Sequence, residues 1–293
     1  MKKDFKIIDS DLHVIEPPDM YEKYLDSRFR DQAPQWTGHR DDAYGGWRLG
    51  GMAHADPQWV DADTSSRELL SKSKEEYYVE EKQHGYTAEL TLEAMDREGI
   101  DVAILFRTTS GMVTHVEGQD PAYTMALCRA FNDWVADFCS PFPKRLKAIA
   151  MLNIDVVEDG VKELERCANM GLIGAMIPVY PPEARAYHSP EYEPLWAAAQ
   201  DLDLPISLHA GTIRGQLDII SFGTQAHQCN PDHYVRMSLA HIIFTGVLER
   251  YPKLQVGSVE YELSWATHFL DRLDYTYTDR MPPPLYQSQV RPS

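Results

Sequence analysis

Two periods of apolar residues alternate along most of the chain. Short apolar runs predict strands at Phe5–Ile8, Asp101–Phe106, Leu146–Met151, Leu172–Val179, Pro205–His209 and Leu254–Val259, the first ending in Asp9-Ser10-Asp11-Leu12-His13. Helical stripes lie between them. Thr87–Glu98 reads as a helix closed by Gly99; Leu127, Ala130, Phe131, Trp134, Val135 and Phe138 form the next stripe. Val157, Val161, Leu164 and Ala168 precede Gly171; Leu195, Ala198, Ala199 and Leu202 follow. Val235, Leu239, Ile242, Ile243 and Val247, then Leu263, Ala266, Phe269, Leu270 and Leu273, mark the last two helices.

Strands that alternate with helices are parallel strands joined by crossovers. Runs apolar on both faces suit strands covered by helices on each side. Two architectures fit, a doubly wound sheet and a (β/α)8 barrel. The first strand is not followed by G-x-G-x-x-G, which weakens the dinucleotide-binding version. The reading is therefore α/β and TIM-barrel-like, one domain over residues 1–293. From about Pro17 to Tyr86 the periodicity lapses in a polar stretch bearing glycines and tryptophans. It reads as an insertion or lid, with short helices expected near Asp19–Leu25 and Ser66–Gln83. Its aromatic residues Trp36, Trp47, Trp59, Tyr77 and Tyr78 are candidates to line a pocket, a lid or a dimer contact.

In a barrel, chemistry collects where strands end. Strand one offers Asp11 and His13, with Glu16 just beyond; strand two offers Arg107, strand four Tyr180, strand five His209 and strand six Glu260. Asp11 and His13 are two apart, so on a strand both side chains point to one side. A carboxylate and imidazoles suit zinc, manganese or iron. D-x-H alone is a weak signal, equally a hydrogen-bonded loop pair; His209 at another strand end strengthens it. Glu260 suits proton handling or metal ligation, or simply the start of a helix. Arg107 suits a two-pronged grip on a carboxylate, or a surface ion pair. Glu16 and Tyr180 are further candidate substrate contacts; His115, His227 and His233, in loops or helix starts, rank below them.

The formal net charge of −17 disfavours nucleic acid and anionic membranes as partners. A small-molecule substrate and a homo-oligomer are expected instead. No run of about eighteen apolar residues is present, and Ile7-Ile8 is too short for a signal-peptide core. The four cysteines form no C-x-x-C pair and read as reduced thiols, so a cytoplasmic protein is expected.

The opening Asp9-Ser10-Asp11-Leu12-His13-Val14-Ile15-Glu16-Pro17 resembles that of amidohydrolases related to aminocarboxymuconate semialdehyde decarboxylase. Pro205-Ile206-Ser207-Leu208-His209-Ala210-Gly211 resembles that family's fifth-strand metal histidine; Gly246–Leu254 and Leu270–Asp274 also fit. The likeness runs from about residue 7 to 293, poorly over 17–86. It implies a TIM barrel with one divalent metal, zinc first, manganese or iron next, held by Asp11, His13 and His209. It implies hydrolysis or non-oxidative decarboxylation of a small carboxylated, possibly aromatic, substrate. Two departures stand out. Where those decarboxylases carry a histidine after strand six, this chain has Glu260; a glutamate's reference pKa is about 4.3 against about 6.5 for histidine. The aspartate expected after strand eight has no counterpart, so strands seven and eight read as missing. Six strands do not close an eight-stranded barrel. An alternative is therefore a metal-free or inactive binding subunit. A nucleophilic hydrolase ranks last, since G-x-S-x-G is missing from the sequence.

Overall fold

The structure is a computed structural model, and it describes residues 5–37, 46–48, 85, 87–108, 110–111, 118–213, 229–280 and 288–292. Most of its strands are parallel, with helices between them. In chain order these are β1 (Ile8–His13), α1 (Met20–Tyr24), a 3-10 turn (Ser27–Gln32), β2 (Gln35–Thr37), β3 (Gly46–Arg48), α2 (Ala88–Glu98), β4 (Val102–Phe106), α3 (Pro121–Cys139), β5 (Leu146–Ala148) and β6 (Ala150–Met151). There follow α4 (Val157–Met170), β7 (Ala175–Ile177), α5 (Glu193–Asp201), β8 (Ile206–His209), α6 (His233–Phe244), α7 (Val247–Arg250), β9 (Val256–Val259) and α8 (Trp265–Tyr275). Among the described residues, no helix is long and apolar enough to cross a membrane.

The chain divides into two compact units. The first carries the parallel sheet β1-β4-β5 and the antiparallel pair β2-β3. The second carries the parallel sheet β6-β7-β8-β9. Within each parallel sheet, strands lie side by side in the order in which the chain makes them. A doubly wound sheet reverses that order at its switch point, whereas barrel strands advance in one direction. The observed order favours the barrel type.

The sequence dictates most boundaries. Thr87 Oγ1 accepts the Leu90 N–H at 3.3 Å and starts α2. Gly99 at φ 77° ends it, with the Ile100 N–H donated to Met95 O at 2.8 Å. Gly171 at φ 89° ends α4 in the same way, with Leu172 N–H to Cys167 O at 3.1 Å. Each end turns the chain back toward a strand. β4, β7 and β8 are almost wholly buried, as parallel strands between helices should be. Cys128, Cys139 and Cys167 are buried free thiols, whereas Cys229 is a free thiol that is exposed rather than buried.

Three expectations need correction. The run Leu146–Met151 is not one strand. It breaks at Ile149 into β5, paired with β4, and β6, paired with β7; an unbroken apolar run carries no mark of a change in partner. The helical stripe that ends in Val247 is two helices, because Gly246 takes φ 71° and interrupts the backbone ladder. The first strand begins at Ile8 rather than at Phe5, and it runs through His13 as expected. In the 17–86 stretch, α1 falls where a helix was expected, while β2 and β3 were not foreseen. The helix expected at Ser66–Gln83 lies outside the described residues, as do Trp59, Tyr77, Tyr78, His115 and His227.

Candidate metal centre

Asp11 and His13 occupy the C-terminal half of β1, in the first unit. The register of β1 on β4 moves from Asp9↔Ala103 to Leu12↔Leu105, three steps on one strand against two on the other. This is a bulge, a device that re-aims side chains next to functional sites. Beyond it, His13 Nε2 lies 3.6 Å from Asp11 Oδ1. His13 Nδ1 lies 2.7 Å from the Arg107 carbonyl oxygen. A carbonyl only accepts, so Nδ1 carries a proton, and in the neutral ring Nε2 carries the lone pair. Two electron-rich atoms thus face each other at a separation too long for a hydrogen bond. A cation between them would turn that repulsion into attraction.

His209 ends β8, in the second unit, and is 2 % exposed. Its Nδ1 lies 2.8 Å from the Ala210 carbonyl oxygen. The same logic puts the lone pair on Nε2. Both histidines therefore show the backbone-anchored tautomer that metal-binding imidazoles adopt. Glu260, just past β9, holds its Oε2 3.6 Å from His209 Nδ1, close enough to act on the ring through charge but not to accept its proton. Its φ is 64°, a left-handed conformation that costs a residue with a Cβ about 1–2 kcal/mol. Such strain concentrates at functional sites.

Arg107 follows β4 and is 8 % exposed, so it is not a surface ion-pair residue. Its Nη1 donates to Thr108 O at 3.2 Å. The guanidinium lies across Gly111, where a Cβ would fall 2.1 Å from Cζ. Glu16 is fully buried. Its Oε1 accepts Thr108 N–H at 3.1 Å, Ser110 N–H at 3.0 Å and Ser110 Oγ–H at 2.6 Å. This carboxylate thus fixes the segment that carries Arg107. Its charge, after burial itself, also pushes the Tyr21 phenol well above its usual range. Tyr180 follows β7, bridges to Ile213 and stacks near Tyr234 and His241, with ring centroids at 5.4 and 6.3 Å. Burial, then Glu183 and Tyr234, raise its pKa, so it remains a hydroxyl donor at neutral pH. His233 begins α6 against Tyr234.

Two residues were missed at the level of sequence. Gly111 gives no local sign that a guanidinium lies over it. Thr212 is fully buried and bonds back to the His209 carbonyl at 2.7 Å. A threonine three residues past a strand-end histidine is a readable signal of such a turn.

Gamma-resorcylate decarboxylase of Rhizobium sp. (strain MTP-10005) is 30% identical over 124 residues, 40% of this chain and 37% of that enzyme. The match therefore spans well under half the length of that curated relative. An amidohydrolase from Mycobacterium avium subsp. paratuberculosis K-10 superposes with a TM-score of 0.73 at 19% identity, covering 99% of this chain and 80% of the other. A dihydroxybenzoic acid decarboxylase from Polaromonas sp. JS666, solved with bound manganese and the inhibitor 2-nitroresorcinol, gives a TM-score of 0.60 at 16% identity, covering 98% and 74%. The TIM-barrel-like fold read from the sequence is the fold of these neighbours. The sequence profile of the amidohydrolase family matches residues 8–279, and the chain belongs to that family.

Proposed function

We propose that the protein is a metal-dependent enzyme that decarboxylates, or hydrolyses, a small carboxylated aromatic compound. The observation that carries this reading is the shared state of His13 and His209. Each sits at the C-terminal end of a parallel strand and gives its Nδ1 proton to a backbone carbonyl. In this reading Asp11, His13 and His209 hold one divalent cation within a single amidohydrolase domain, 1–293. The set suits zinc or manganese, and the manganese in the Polaromonas enzyme adds weight to the second.

When bound, the cation would draw electron density from substrate oxygens. The remaining work falls to this chain's own side chains. Arg107, pre-set over Gly111, binds the substrate's carboxylate. Glu16 serves the same subsite by holding the Thr108–Ser110 segment in place. Tyr180 donates a hydrogen bond to a phenolic or carboxylate oxygen. Glu260 handles the proton: as the bond to the departing CO2 breaks, its electron pair stays on the ring carbon and a proton from Glu260 takes the vacated position. The decarboxylase names among the curated relatives favour this scheme over hydrolysis. A cytoplasmic setting and self-association belong to the same reading.

The test is CO2 release from hydroxybenzoates with a carboxyl group ortho to a hydroxyl, before and after chelation and after return of manganese or zinc. Metal-restored CO2 release is expected. Equal turnover with and without metal would exclude the proposal.

A further inference from the structure

Thr212 lies in the turn that follows β8, where Gly211 takes φ 71°. Both capacities of its hydroxyl are in use. Oγ1 donates to the His209 carbonyl at 2.7 Å and accepts the Val179 N–H at 2.7 Å. The directions are fixed, since a carbonyl cannot donate and an amide N–H cannot accept. The Val179 carbonyl in turn accepts the hydroxyl of Ser238, on α6. Val179, Thr212 and Ser238 are each fully buried. A continuous chain of hydrogen bonds therefore runs from α6, through the segment after β7, to the end of β8.

His209 is tied into the same turn twice. Its carbonyl accepts from Thr212, and its ring donates from Nδ1 to the Ala210 carbonyl. The direction in which the ring points therefore depends on the geometry of residues 209–212. We infer that Thr212 is a positioning residue for His209, aiming its Nε2 at the cation, with Ser238 bracing the arrangement through Val179. Thr212 is not assigned a contact with substrate or metal. The inference rests on the proposed role of His209 as a ligand.

Valine is close to threonine in shape but has no hydroxyl. In Thr212→Val the Val179 N–H keeps its 3.2 Å bond to the Thr212 backbone carbonyl, while the His209 carbonyl loses the hydroxyl. Loss of partners that orient a metal ligand typically weakens metal binding ~10- to 100-fold. The test is a titration of the full chain with Mn2+ alone and with Zn2+ alone, in competition with a chromophoric chelator. Circular dichroism at the same temperature reports folding. Thr212→Val is expected to raise the metal Kd ~10-fold or more. Thr212→Ser, which keeps the hydroxyl, is expected to restore it to within about threefold of the parent. A purely structural role would lower Tm in Thr212→Val and leave the Kd of the folded protein alone; that result overturns the inference. Equal weakening in the valine and serine variants overturns it too. Should Thr212→Val not fold, Ser238→Ala decides: a raised Kd supports the relay and an unchanged Kd refutes it. A parent protein that binds neither ion removes the metal reading itself, a failure visible before any variant is made.

Discussion

At the scale of single residues, the account turns on what each side chain can donate or accept. If His209 is a ligand, as proposed, His209→Ala should lower metal content and turnover together, as read by elemental analysis beside the activity assay. Replacement of His115 should have a small effect by comparison. Glu260→Gln should separate the two: the amide cannot deliver a proton, so turnover should fall by ~100-fold or more while bound metal stays stoichiometric. Loss of metal in that variant would make Glu260 a ligand instead. Gly111→Ala is the sharpest steric test, since the new Cβ would lie 2.1 Å from Arg107 Cζ. Either the guanidinium moves, or the protein loses about 1–3 kcal/mol through overpacking. A rise in KM with kcat retained would mark the first outcome. Unchanged stability and kinetics would show that Arg107 is not where the structure puts it.

At the scale of elements, the fold was legible wherever local chemistry decides the outcome. Thr87, Gly99 and Gly171 mark helix ends in any context, because caps and left-handed turns are local requirements. The D-x-H spacing predicted that Asp11 and His13 would share a side, and their 3.6 Å approach agrees. What depends on partners distant in sequence was not legible. The split of Leu146–Met151 reflects which strand lies alongside, not which residues the strand contains. The β1 bulge, Glu16 beneath Thr108 and Ser110, and Arg107 over Gly111 all join residues about ninety or more positions apart, or hinge on backbone geometry, and leave no periodic trace. α6 carries a pH response of its own. On it, His241 meets His188 at 4.9 Å and Tyr180 at 6.3 Å. Burial first, then His188, lower its pKa, against a smaller opposing pull from Glu183. The unfolded chain therefore binds this proton at a higher pH than the folded one. Stability should decline as pH falls through about 6.5 and level off below the folded-state pKa. Urea midpoints at pH 8, 6.5 and 5 should show that slope, and His241→Gln should flatten it. An identical slope in the variant would place the titration elsewhere.

At the scale of the whole molecule, family membership over residues 8–279 and the sequential strand order agree on one architecture. A cation bound by the folded state and not by the unfolded one must raise stability. At a free concentration of 100 times Kd the gain is about 2.7 kcal/mol, visible as a rise in Tm that chelation reverses. Activity measurements alone would leave open whether metal acts on the protein or on the substrate. The most direct test is therefore metal stoichiometry by elemental analysis, on protein dialysed against manganese or zinc, for the parent and for Asp11→Asn, His13→Ala and His209→Ala. The account predicts one ion per chain in the parent and a clear loss in every variant. A parent without metal, or a His209→Ala protein that keeps its full complement, would contradict it.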